Sequence, residues 1–212
     1  MTPRTIDRFL RILAKEFDRP ATIIVTGAAA GSLWGHLRPS RDIDFGVELS
    51  RREPRAWETF HAAVDRTVQQ TGIQVNYAED IERWSSISLL DYRRHTLAYR
   101  RFGTLDVRLL DPVYWAIGKL GRYFDLDVHD LVAVLKRRRV PPRRLLRILA
   151  MALRASPRST SVFQFPLQVE HFLRTYGRDV WGRTFNPERA VASFHRAAGI
   201  AQGTPTRHRT FS

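Results

Sequence analysis

The chain of 212 residues has no cysteine, two methionines and only three lysines, and each shortage excludes something. Without cysteine there is no disulfide, no thiolate nucleophile and no Cys-ligated zinc, so carboxylates, histidines and hydroxyls must carry any chemistry. No apolar run approaches the roughly 18 residues that a membrane helix needs. The N-terminal MTPRTIDRFLRIL is charged and amphipathic and lacks the apolar core of a signal peptide, which predicts a cytoplasmic protein with no membrane partner. With 43% hydrophobic and 26% charged residues, the chain is expected to fold as one large domain, or as a core with an appendage, and not as a disordered or fibrous protein.

Arginine stands where lysine is scarce, making up 32 of the 35 cations, and the formal net charge is +14. Its distribution is uneven. Residues 1–135 hold 19 cations and 18 acids, whereas residues 136–212 hold 16 cations and 3 acids, a net +13. A GC-rich coding bias accounts for arginine over lysine, but not for the loss of acids after residue 135. A clustered positive field points instead to a polyanion or an acidic protein as partner of the second half.

The periodicity orders the chain. Ile6, Phe9, Leu10, Leu13 and Phe17 share one helical face, and TIIVT (22–26) reads as a strand that turns at Gly27 into an Ala-rich helix reaching about His36. DIDFGVEL (42–49) alternates as a half-buried strand does. A helix through Trp57, Phe60, Val64 and Val68 follows, then a strand at 73–78, and two strands within 95–110 joined at Phe102-Gly103. Asp111-Pro112 is an N-cap followed by Pro at the first helical position, and beyond it lie a helix to about Phe124 and three further amphipathic helical patterns. The expected fold is α/β: a small mixed sheet of four or five strands with packed helices over 1–111, a basic helical portion over 112–200 and a tail over 201–212.

Neither a GxGxxG nor a GxxxxGK[ST] fingerprint is present, and the seven histidines show no HExxH spacing. The acids are more informative. Asp42 and Asp44 flank Ile43 on one strand, so both project from the same face about 6.6 Å apart at the backbone. Two carboxylates so close repel unless a cation sits between them, and Mg²⁺ takes oxygen ligands of this kind. Asp106, in the strand TLDVRLL, is expected to join them in a three-carboxylate, two-metal site for phosphoryl transfer. The turn at Gly27-Ala28, free of bulky side chains, is a candidate phosphate cradle beside them. Lys119 lies opposite the apolar stripe of its helix with Arg122 three residues on. The pair reads either as a triphosphate clamp or as a solvated helix face.

TIIVTGAAAGSLWGHLRPSRDIDFGV resembles the signature of minimal nucleotidyltransferases of the DNA polymerase β superfamily, most closely the AbiEii-like toxin nucleotidyltransferases. The residues that carry the likeness are Gly27-Ala28, Ala29-Ala30, Gly35, Arg38, Ser40, Arg41 and Asp42-Ile43-Asp44, with Ala28 standing where the pattern prefers Gly or Ser. Lys119, followed by Asp127 or Asp130, extends it weakly, and beyond about residue 135 no specific likeness remains. The resemblance implies Mg²⁺-dependent transfer of a nucleoside monophosphate from an NTP to a hydroxyl, with release of pyrophosphate. Asp42 and Asp44 would hold both metal ions, and Asp106 would bind one and help deprotonate the acceptor. Gly27, Ala28 and Lys119 would hold the triphosphate, and Arg38 and Arg41 would neutralise pyrophosphate. The basic half suits an RNA acceptor, transfer-RNA ends among them, and a toxin of this kind would have an acidic antitoxin as partner. Two alternatives stay open: nucleotidylation of a cationic small molecule of the aminoglycoside type, and a catalytically silent module that binds RNA or docks a partner.

Overall fold

A computed structural model describes residues 1–36, 40–49 and 54–200. It is a mixed α/β protein in which five strands form one sheet and eight helices surround it among the described residues. The order across the sheet is β3 (Gln74–Ala78), β2 (Asp42–Leu49), β1 (Ala21–Val25), β5 (Leu105–Leu110) and β4 (Thr96–Phe102). β1 therefore lies at the centre, antiparallel to β2 and parallel to β5, while β2 and β3 run parallel and β4 and β5 antiparallel. Its run of β-branched residues suits that position, because Ile23, Ile24 and Val25 are all buried.

One face of the sheet is formed by Ile23 and Val25 of β1, level with Val47 and Phe45 of β2 and with Val107 and Leu109 of β5. Two helices cover it. α1 (Pro3–Glu16) starts at Thr2, whose hydroxyl caps Thr5 N–H, and buries Ile6, Phe9, Leu10 and Leu13. α3 (Pro54–Thr71) packs beside it: the rings of Phe17 and Phe60 meet edge to face at 5.0 Å, and Phe9 reaches Phe45 at 6.4 Å. The opposite face carries Asp42, Asp44, Gly46 and Glu48. Residues 79–94, including short 3-10 turns at Ile81–Trp84 and Tyr92–Arg94, cross it at Gly46, where a Cβ would lie 3.1 Å from Ile81 Cγ2.

After β5 the chain is helical: α4 (Pro112–Arg122), α5 (Asp125–Arg137), α6 (Pro142–Ala155), α7 (Thr160–Trp181) and α8 (Pro187–Ala198). α2 (Gly27–Leu33) leads from β1 into the loop before β2 and approaches α5, where a Cβ on Gly31 would meet Val134 at 3.9 Å. The expected three helical patterns after α4 are four helices. α8 buries Ala190, Val191, Phe194 and Ala198, a face made mostly of small residues, and its start is marked by Asn186 capping Arg189 N–H before Pro187. One continuous hydrophobic cluster runs from Ile6 to Ala198, so sheet and helices share a core. Among the described residues no helix is long and apolar enough to cross a membrane.

Asp111 is the hinge between the sheet and the helices. Its buried carboxylate accepts from Val113 N–H at 2.9 Å and from Arg144 Nη2 of α6 at 2.8 Å. Asp111→Ala leaves both donors without their acceptor and is expected to lower the unfolding free energy by about 2 kcal/mol. Asp111→Asn, which keeps an acceptor for the cap, should lose less. Urea denaturation of the two variants checks this, and equal midpoints would count against it.

Candidate active site

The candidate site forms where β1 ends. Thr26 N–H donates to Asp44 O at 2.9 Å, extending the β1–β2 ladder by one rung, and Gly27 then turns the chain into α2 with φ +60°. A Cβ on Gly27 would lie 2.0 Å from Asp44 Oδ2. Only glycine satisfies both constraints, because the left-handed φ and the close approach each exclude a side chain. Trp115 of α4 secures the turn by donating its indole N–H to Gly27 O at 2.9 Å. Ala28 is buried and lies inside the seven-residue α2.

Asp42 and Asp44 do project from one face of β2, and one amide joins them. Asn76 of β3, in register with Asp44, donates Nδ2–H to Asp44 Oδ1 at 2.9 Å and to Asp42 Oδ2 at 3.0 Å. Ser40 Oγ donates to the other Asp42 oxygen at 3.1 Å. Burial pushes the Asp44 carboxyl above the usual carboxylate range and the charge of Asp42 adds to the rise, against the Asn76 hydrogen bond and the cations Arg122 and Lys119.

The expected convergence of three carboxylates is not found. Asp106 pairs with Thr22 of β1, level with Glu48 on the far side, whereas Asp44 lies level with Thr26. Four residues at 3.3 Å each separate the two levels, about 13 Å along the strand. Asp106 is on the correct face but at the wrong height. Its side chain is 51% exposed, with Arg108 Nη1 at 3.5 Å. Among the described residues no group of three or more His, Asp or Glu side chains comes together to hold a metal.

Lys119 also departs from expectation. It is 2% exposed, and its Nζ donates to Asp127 Oδ1 and Asp130 Oδ2, both at 2.7 Å. The side of α4 that looks solvated on a helical wheel is covered by α5, which supplies both acids. Arg122, one turn on, reaches the surface and clasps Asp127 with Nε at 3.2 Å and Nη2 at 3.0 Å. Burial works to raise the Asp127 carboxyl, but hydrogen bonds from Arg122 and Lys119 hold it below the usual range. Asp130 continues the chain of contacts to His36 Nε2 at 2.9 Å, at the end of α2. Arg41 is exposed beside Asp42, and Arg38 lies outside the described residues.

Beside Asp44 and Asn76 a cleft of about 260 Å³ opens between residues 81–89 and α4. Its walls are mainly apolar and aromatic, including Ile81, Trp84, Leu110, Tyr114 and Trp115, with Arg122 at its edge. Such a cleft with a few convergent polar groups is the form small-molecule sites take. Asn76, His36 and the Trp84 wall are the parts that sequence reasoning missed; the polar Asn76 within the strand QVNYA was the only signal for the first. The two carboxylates, held side by side by Asn76, with Asp44 against a glycine whose Cβ would fill the space, are hard oxygen donors of the type that Mg²⁺ takes. No family model matches the chain, and neither does any curated protein or solved structure.

Because the folded-state carboxyl of Asp44 is raised, its contribution to stability is fully present below the ordinary carboxyl range and is lost as pH rises through the raised value. Asp44→Asn removes that loss. It is expected to raise the thermal midpoint at pH 7 and to leave it little changed near pH 3, as melting curves across that range would show; a lower midpoint at pH 7 would contradict the assignment.

Proposed function

We propose that the chain is a Mg²⁺-dependent nucleotidyltransferase that moves a nucleoside monophosphate from an NTP to a hydroxyl, with RNA as the acceptor. The observation that carries this reading is the pair Asp42 and Asp44, bridged by Asn76 at 3.0 and 2.9 Å, with Asp44 packed on Gly27 and lining an aromatic cleft. Asp42 and Asp44 would hold the metal, which when bound neutralises phosphate charge and polarises the phosphoryl group. The chain's own residues do the rest. Trp84 and Tyr114 offer faces on which a base can lie, and Gly27 keeps side-chain bulk away from the phosphates. The reaction joins the acceptor oxygen to the α-phosphorus as the bond to pyrophosphate breaks. The net +13 over residues 136–212 favours an acceptor rich in phosphate.

A second reading, an RNA-binding or docking module without catalysis, draws on one specific observation: Asp106 stands apart from the acid pair, so a third carboxylate is missing from it. Incubation with Mg²⁺, total RNA and each α-labelled NTP in turn separates the two. Label is expected to enter RNA with the intact chain and to fall at least about 100-fold in the Asp42→Ala/Asp44→Ala variant. If no NTP labels RNA, protein or small molecules while RNA still binds, the binding-module reading takes its place. RNA affinity should fall steeply between 50 and 200 mM salt; a flat response would exclude a phosphate-led interface.

A further inference from the structure

Among the described residues Arg122 is the one cation that lines the cleft, together with Asp44 and Asn76. A guanidinium presents five donors in a rigid fork. The edge formed by Nε and Nη2 is taken by Asp127 at 3.2 and 3.0 Å, while Nη1 has no hydrogen-bond partner among the described residues. Arg122 is thus anchored on one edge and open on the other, with its side chain 47% exposed.

The anchor is itself fixed from below. The buried carboxylate of Asp127 is held by Lys119 Nζ at 2.7 Å, and the same ammonium binds Asp130, whose other oxygen meets His36. Lys119 has Trp115 beneath it, 5.4 Å from the ring centre. An ammonium enclosed by two carboxylates and an indole has no route to a ligand in the cleft. Arg122 closes its Nε and Nη2 edge on the buried Asp127 carboxylate and keeps the Nη1 edge turned away from it.

We infer that Arg122, and not Lys119, receives a phosphate of the nucleotide in this cleft, and that Lys119 is a positioning residue acting through Asp127. The inference rests on the nucleotide reading of the site. It identifies the anion subsite as the strip between Arg122 and the acid pair, with the aromatic wall of Trp84 and Tyr114 beside it for the base. A forked donor anchored in this way suits the oxygen pair of a phosphate better than a point charge does.

Calorimetric titration of the full chain with Mg²⁺-ATP and with Mg²⁺-tripolyphosphate tests it. Arg122→Gln is expected to weaken tripolyphosphate binding about tenfold or more, measured at a temperature where circular dichroism shows the variant folded. Arg122→Lys should restore only part of the affinity, because an ammonium cannot fork. Asp127→Asn, of the same shape, should weaken binding about threefold in the native background and by nothing further in the Arg122→Gln background, a coupling that a purely structural role does not produce. If Arg122→Gln binds tripolyphosphate as tightly as the unaltered chain, the assignment falls and the functional reading stands. Equal weakening by Asp127→Asn in both backgrounds removes the positioning role. An unaltered chain that binds neither probe removes the inference and the functional reading together.

Discussion

The pairing of β1 with both its neighbours governs what the acids of this protein can do. β1 meets β2 antiparallel and β5 parallel, with Thr22 level with Glu48 on one side and Asp106 on the other. That alignment sends Asp42 and Asp44 to the end of the sheet where β1 turns into α2, and leaves Asp106 near the opposite end. Sliding β5 along β1 to bring Asp106 up would also drag Val107 and Leu109 out of level with Ile23 and Val25. The rows facing α1 and α3 would then lose their fit, so the apolar face holds the register and the polar face has to accept it.

Much of this was legible locally and little of it at long range. The alternation in DIDFGVEL placed Ile43 and Phe45 in the core and both acids opposite, because a period of two is a property of one strand. The same rule gave the correct face for Asp106, but it is silent about height, which depends on a partner strand some 80 residues away. Lys119 shows the corresponding limit for helices. A helical wheel records the side away from the apolar stripe, and only the packing of α5 across α4 converts that side into a buried one. α8 escaped because three of its four buried positions are alanine or valine, a weak hydrophobic signal, although Asn186-Pro187 marked its start. Asn76 has no motif at all; its meaning comes entirely from standing in register with Asp44.

The cluster of Lys119, Arg122, Asp127 and Asp130 ties α4 to α5 electrostatically. Three of its members are buried, and in such surroundings a neutral balance is required more than it is rewarded. Removing one partner of a buried ion pair typically costs about 3–5 kcal/mol, because the other charge is left without compensation. His36 adds a link to α2, whose first residue is the glycine under Asp44. The acid pair and the charge cluster are thus tied at both ends of one short helix, through Gly27 at its start and His36 just past its end.

Trp115 has a consequence of a different kind. Its indole N–H is committed to the Gly27 carbonyl, its ring lines the cleft, and Trp34 stands perpendicular to it with ring centres 5.5 Å apart. Indole emission responds to the polarity and hydrogen bonding around the ring, and two indoles this close exchange excitation. The molecule therefore carries its own optical reporter at the turn where strand, acid pair and cleft meet, built from side chains that already hold the turn in place.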